Sequence, residues 1–270
     1  MNALEVLEPG PLTTIQDDGR PGWAHIGVPP SGAVDSGAYA RANELVGNPE
    51  GAAALEATLI GPTLRALETV TVAVVGARAP DHTRTLRPGD VLETGTTRGA
   101  RAYIAVRGGI DVEPVLGSRS TDLLTALGPR PLTRGDLLSL GPEPATAARA
   151  PQPDRPPAGP LRVHPGPRDA WFTREALELL QAATWRVTTS ANRVGSRLDG
   201  PALERARHDE LLSEGLIAGA LQVPPSGRPI LLLNDHPTTG GYPVIGVVAN
   251  GDLPRAGQLK PGDEVRFALA

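Results

Sequence analysis

Ile230-Leu231-Leu232-Leu233-Asn234-Asp235-His236-Pro237-Thr238-Thr239-Gly240-Gly241-Tyr242-Pro243-Val244-Ile245-Gly246-Val247-Val248 sets two aliphatic runs on either side of ten polar, glycine and proline residues. The runs, 230–233 and 244–248, are too short for stable helices and are rich in aliphatic and β-branched side chains, so they read as buried strands. The residues between them hold a carboxylate, an imidazole, two hydroxyls, a phenol and two glycines on a rigid base. Two readings stand: a polar hairpin turning at Gly240-Gly241, or a loop that carries chemistry.

The same grammar recurs outward from this stretch. Runs at 70–75, 102–106, 137–140, 185–189 and 265–269 are each bounded by Gly, Pro or Asp and read as strands. Helix signals are fewer. Asp35 or Ser36 caps a run from Gly37 to Val46 that Gly47 stops, Thr173 caps another ending near Ala182, and a short helix is expected over 121–127, ended by Gly128-Pro129. With helices too few to cover both faces of a parallel sheet, the expected fold is mainly β, a barrel or sandwich with a few packed helices. Aromatic residues are only 3% of the chain, so its cores must come from Val, Leu, Ile and Ala.

Between Glu143 and Pro160 proline alternates with Ala, Arg and Gly and apolar periodicity disappears, which marks a linker over 143–160 between modules at 1–142 and 161–270. The flanking halves echo each other. Leu4-Glu5-Val6 leads into Pro9-Gly10-Pro11 as Leu161-Arg162-Val163 leads into Pro165-Gly166-Pro167, and Gly135-Asp136 corresponds to Gly262-Asp263. Val-Pro-Pro-Ser-Gly occurs at 28–32 and again at 223–227, although its order relative to the other echoes is not conserved between halves.

Several chemistries are excluded by what is missing. The net charge of -4, with Arg and Asp/Glu scattered singly, offers no basic stripe for nucleic acid. No cysteine is present, so disulfides, thiolate nucleophiles and Cys-based metal sites drop out, and none of the five histidines has metal-ligand spacing; no metal is expected. Lys260 is the sole lysine and sits in a Pro-Gly-Asp turn, which excludes a phosphate loop and disfavours a lysine-borne cofactor. The first ten residues lack a basic segment followed by an apolar one, and no 18-residue apolar run follows, so no membrane partner and a cytoplasmic location are expected.

Three groups remain as site candidates. The loop Asn234 to Pro243 is the richest. Ser31 and Ser226 lie in rigid Pro-Pro-Ser-Gly turns whose hydroxyls and amides form a small cradle or serve only as turns, because neither has the glycine spacing of a nucleophile elbow. Gly117-Ser118-Arg119-Ser120-Thr121-Asp122 and Asn192-Arg193-Val194-Gly195-Ser196-Arg197 surround arginines with hydroxyls and amides suited to carboxylate or phosphate, although an isolated Arg is more often a surface charge.

Gly27-Val28-Pro29-Pro30-Ser31-Gly32-Ala33-Val34-Asp35, Ala42-Asn43-Glu44-Leu45-Val46-Gly47-Asn48, Leu55-Glu56-Ala57-Thr58, Val115-Leu116-Gly117-Ser118-Arg119-Ser120-Thr121 and Thr238-Thr239-Gly240-Gly241-Tyr242-Pro243 appear in this order across most of the chain. Together they resemble the family of the C-type component of bacterial ATP-dependent 5-oxoprolinase, also described as allophanate hydrolase subunit 2 or biotin-dependent carboxyltransferase. The resemblance implies tandem cyclophilin-like β-barrel modules and a heteromer with a B-type subunit and an A-type subunit. It implies opening of 5-oxoproline to glutamate with ATP used by the complex. It leaves as alternatives biotin-dependent carboxyl transfer to a urea-like nitrogen and a non-catalytic regulator of a kinase inhibitor. Asp235, His236, Thr238, Thr239 and Tyr242 are then the catalytic candidates, with Asp235 or His236 as general base. Ser31, Gly32, Asp35, Asn43, Glu56, Arg119, Ser120, Arg193, Arg197, Gln222, Gly240 and Gly241 are the substrate-binding candidates. The segments Ser31 to Asn43 and Thr238 to Tyr242 are expected to share one cleft.

Overall fold

The computed structural model describes residues 2–145 and 159–270, so most of the expected linker lies outside the described residues. The chain forms two compact units, Met1–Arg20 with Ser31–Asp154, and Pro21–Pro30 with Arg155–Ala270. The short Pro21–Pro30 stretch thus groups with the second unit, although it precedes most of the first in sequence.

The first unit is built from two antiparallel sheets. One runs Val91–Glu93, Thr63–Ala66, Asn2–Glu8 and Leu137–Ser139 in spatial order, and the other Thr13–Gln16, Ala54–Ile60, Thr96–Val106, Val70–Val75 and His82–Leu86. Leu4, Val6 and Leu64 of the first sheet meet Ile15, Leu55, Val72, Val74, Ile104 and Val106 of the second in one core. The alternate residues of the second sheet are buried as well. Ala73, Val75, Tyr103 and Ala105 pack under α1 (Ser36–Leu45), whose Ala38, Tyr39, Ala42 and Leu45 face them. This double coverage explains why Val70–Val75 is apolar almost throughout rather than alternating. The Asp35 carboxylate accepts from Ala38 N at 3.0 Å to cap α1, and Gly47 (φ 69°) turns the chain away beyond its end.

The second unit holds one eight-stranded sheet in the order Glu264–Val265, Trp185–Val187, Gly195–Asp199, Ile230–Leu232, Ala220–Gln222, Val244–Val248, Leu161–Pro165 and Phe267–Leu269. Its two edge strands are separated in sequence by Arg266 alone, so the sheet curls nearly into a closed barrel around Val163, Trp185, Leu198, Leu221, Leu231 and Ile245. Helix α2 (Arg174–Ala182), capped by Thr173 Oγ1 accepting from Ala176 N at 3.1 Å, adds Ala176 and Leu180 to that core, and α3 (Leu253–Gly257) adds Ala256. The fold is mainly β with a few helices, as the density of short aliphatic runs indicates. No helix among the described residues is long and apolar enough to cross a membrane.

The echoed Gly-Asp pairs are the same device in both units. Thr133 N donates to Asp136 Oδ2 at 2.8 Å and Lys260 N to Asp263 Oδ2 at 3.0 Å, with Gly135 and Gly262 at φ 86° and 92° allowing each turn. Two expectations fail. Residues 121–127 are turns rather than a helix: Asp122 accepts from Leu124 N, Thr125 N and the Thr125 hydroxyl, and Ala126 stands at φ 57°, so a local side-chain network displaces the helical bonds. The hairpin at Gly240-Gly241 is also absent. Ile230–Leu232 and Val244–Val248 both flank Ala220–Gln222 and do not pair with each other, so residues 234–243 arch past the end of an intervening strand.

Candidate functional site

In the second unit, the arch is held at its base by a buried ion pair. Arg193 Nε and Nη2 donate to Asp235 Oδ2 and Oδ1, each at 2.9 Å, with both side chains shielded from solvent, and Asp235 N bonds the Arg193 carbonyl at 3.0 Å. A bidentate guanidinium-carboxylate pair of this kind fixes geometry. It engages the carboxylate expected to act as a base with the guanidinium expected to bind ligand.

His236 is buried beside that pair, and its Nδ1 lies 2.8 Å from the Pro237 carbonyl. A carbonyl only accepts, so Nδ1 carries the proton and the neutral ring keeps its lone pair on Nε2. Burial holds His236 below the ordinary histidine range, with the Pro237 bond and the Asp235 charge opposing it.

Further along the arch, Thr239–Gly240 pairs with Glu214–Gly215, and Leu216 N donates to the Thr238 carbonyl at 2.9 Å. Gln222, on the strand beneath, donates Nε2 to the Tyr242 carbonyl at 3.3 Å. One residue on, the Val223 carbonyl accepts from Arg205 Nη2. A Cβ at Gly240 would lie 2.7 Å from Gln222 Nε2 and 2.8 Å from Leu216 Cδ1, so a larger residue here would push those two side-chain ends aside. Arg168 Nε reaches both Glu214 carboxylate oxygens at 3.0 Å, bracing the opposite strand and holding the Glu214 carboxyl below its usual range. Thr239, Gly241 and Tyr242 remain exposed at the crest. Arg197 lies on the outward side of Gly195–Asp199, between buried Ser196 and Leu198. Ser226 sits in an exposed turn that Gly227 closes with a bond to the Pro224 carbonyl at 2.9 Å.

In the first unit, Asp17 gathers the other sequence candidates. Its carboxylate accepts from Ser118 Oγ (2.5 Å), Ser120 Oγ (2.6 Å), Arg119 N (2.5 Å) and Gly19 N (2.8 Å), while its carbonyl accepts from Ala33 N (3.0 Å). Ser120 is therefore fully buried and engaged in holding the loop. Gly32 (φ 83°) lies against the Asp18 and Gly19 backbone, where a Cβ would come within 2.9 Å, and Ser31 beside it has φ 51°. Glu56 ties the following turn to the sheet, accepting from Val34 N (2.9 Å), the Tyr103 hydroxyl (2.7 Å) and Arg101 Nε (3.2 Å). The Tyr103 hydroxyl in turn accepts from Asp35 N at 2.8 Å. Asn43 donates to the Ala52 carbonyl at 2.9 Å and accepts from Asn48 at 2.8 Å.

Two clefts open on this unit. One of about 600 Å³ beside α1 includes Asp18, Tyr39, Asn43, Glu44 and Glu50 in its lining. Burial, then the neighbouring Asp17 and Glu50 charges, push the Asp18 carboxyl up, so this is an acidic cleft that disfavours anions. The other, about 380 Å³, is lined by Arg119, Asp111, Glu50 and Glu143 among others, and Arg119 Nη2 stands 3.8 Å from Asp111 Oδ1.

Asp17, Arg101, Tyr103 and Arg205 belong to these assemblies and were not singled out by sequence. Asp17 had a signal in the polar run Asp17-Asp18-Gly19-Arg20 that follows a strand. The other three lie in unremarkable surroundings and become visible only through their partners.

A family model described as the carboxyltransferase domain, subdomain A and B, matches residues 26–269. The C-type component of 5-oxoprolinase from Escherichia coli is 38% identical, covering 98% of this chain and 90% of that protein, and its counterpart in Haemophilus influenzae is 32% identical with the same coverage. A urea amidolyase of Lachancea kluyveri is 36% identical, but this chain spans only 17% of it. Among solved structures, the Kluyveromyces lactis urea carboxylase superposes with a TM-score of 0.87 at 34% identity, covering 99% of this chain and 27% of that one. With a family model spanning nearly the whole chain and relatives of matching length, the chain belongs to the carboxyltransferase domain family, subdomains A and B.

Proposed function

We propose that this chain is the C-type component of an ATP-dependent 5-oxoprolinase, which opens the lactam of 5-oxoproline to glutamate together with a B-type and an A-type subunit. The observation that carries the reading is the match in length as well as sequence: 38% identity over 98% of this chain and 90% of the Escherichia coli C-type component.

ATP supplies the activation of the lactam carbonyl, an otherwise poor electrophile in water. No phosphate loop can be built from this sequence, because its sole lysine, Lys260, lies in a Pro-Gly-Asp turn. Our reading assigns ATP to a partner subunit. What this chain contributes is the arch of the second unit. Neutral His236 is the proton acceptor, since Asp235 is committed to Arg193. The hydroxyls of Thr238, Thr239 and Tyr242 and the amides of Gly240 and Gly241 are donors for charge that develops on the opening ring. Gln222 and the Arg193–Asp235 pair hold these groups in register, and in the first unit Arg119 is the partly exposed cation available to a ligand.

A second reading is biotin-dependent carboxyl transfer, favoured by the family's description and by the urea amidolyase match. Purified chain mixed with both partner subunits and 5-oxoproline decides between them: glutamate formed with ATP supports the first, and carboxylation of urea from a biotin carrier, with no glutamate, supports the second.

A further inference from the structure

Arg205 differs from three ion-paired guanidiniums of the second unit. Arg193 meets Asp235, Arg168 meets Glu214 and Arg162 meets Asp252. Arg205 is half-buried, and among the described residues no carboxylate is paired with it. Its Nη2 donates to the Val223 carbonyl, while its enclosed Nε has no acceptor. Burial lowers its ionisation from the ordinary arginine range, and its one opposing influence is the phenol of Tyr242. A guanidinium remains charged under these conditions, so Arg205 is a partly desolvated cation whose charge no acidic side chain of the described residues balances.

Its position makes that unbalanced charge useful. Val223 follows Gln222, and Val223 N donates to the Pro243 carbonyl at 3.0 Å, so the residue that anchors Arg205 is tied to the end of the arch. Tyr242 is 45% exposed, so this end of the arch faces solvent. The acidic lining of the larger cleft in the first unit has the wrong sign for the same ligand.

We propose that Arg205 binds the carboxylate of the cyclic-amide substrate at the Tyr242-Pro243 end of the arch. This deepens the 5-oxoprolinase reading and rests on it. The carboxylate supplies the counter-charge that the half-buried guanidinium lacks, meeting its solvent-facing edge rather than the enclosed Nε, and the lactam ring is then held against the hydroxyls and amides of the arch.

The test uses the complex assembled from all three subunits, with wild type, Arg205→Gln and Arg205→Lys. Initial rates are read for 5-oxoproline and for 2-pyrrolidinone, the same ring without the carboxylate, and 5-oxoproline binding is measured by calorimetry. Arg205→Gln is expected to raise KM and Kd for 5-oxoproline by about ten- to a hundredfold, the range for one charge-assisted pair. Weak turnover of 2-pyrrolidinone and the melting temperature should stay unchanged, and Arg205→Lys should recover part of the loss. Equal 5-oxoproline affinity in folded Arg205→Gln and wild type, or equal losses for both compounds, overturns the assignment. If wild type binds 5-oxoproline in an Arg205-dependent way without turning it over, the activity is wrong and the carboxylate site stands. If wild type neither binds nor turns it over, both fall.

Discussion

Arg193 and Asp235 meet through two hydrogen bonds of 2.9 Å with both side chains out of solvent, so removing one charge strands the other where water cannot reach it. Asp235→Asn is therefore expected to lose about 3–5 kcal/mol of stability in urea unfolding, while replacing both residues with apolar ones of similar volume costs much less. A surface loop carboxylate would give less than about 1 kcal/mol, and that result would remove the pair from its positioning role. The sequence brought both residues to notice, as polar groups in loops, and suggested ligand chemistry for each. Their mutual engagement was not legible because 42 residues separate them, and nothing in local spacing says that two such groups share a strand end. His236, one residue along, gives a pH signature. Burial holds its folded value below the unfolded value of about 6.5, so the unfolded chain takes up the proton first as pH falls. Stability should decline as pH drops below about 6.5, and melting curves of His236→Gln should lack that component. An identical pH dependence in the two proteins would contradict a neutral buried imidazole.

At the scale of elements, Asp17 is the clearest case of a loop shaped by one carboxylate. It fixes the Gly117 to Thr121 segment through two serine hydroxyls and the Arg119 amide, and holds the Ala33 amide through its own carbonyl. Asp17→Asn keeps the size but turns one acceptor oxygen into a donor facing groups that already donate. Hydrogen exchange at the Arg119 and Gly19 amides should speed up by about tenfold or more, with the strands unaffected, on the loss of roughly 1.4 kcal/mol or more of local protection; unchanged protection would show that the loop holds itself. Periodicity and capping made much of the secondary structure readable at this scale. The Val70–Val75 and Val244–Val248 strands stand at their expected bounds, and Asp35 and Thr173 cap the helices they were expected to cap. Other elements escaped for identifiable reasons. Ala54–Ile60 carries Glu56, which buried Arg101 accommodates in the core, and Gly195–Asp199 carries Arg197 and Asp199 on its outward side, so both strands break the apolar pattern. The 121–127 turn has helical composition, but Asp122 captures its amides first. The arch of 234–243 looked equally like a hairpin, because sequence does not reveal that Ala220–Gln222 is interposed between its flanking strands.

At the scale of the molecule, the two units have separate cores, and the Gly-Asp turn whose echo the sequence displays is built in the same way in each. The grouping of Pro21–Pro30 with the second unit was not legible in the sequence, because chain order carries no trace of such an excursion. On the proposed reading, function at this scale depends on other chains: the arch would supply donors, a neutral imidazole and the Arg205 guanidinium, while the sole lysine lies in a turn and not in a phosphate loop. The most direct test is release of inorganic phosphate from ATP that depends on 5-oxoproline, measured for this chain alone, for the two partner subunits without it, and for all three together. The account predicts activity only in the complete mixture, with one glutamate formed for each lactam consumed. Full activity from the partners without this chain, or from this chain alone, would contradict it.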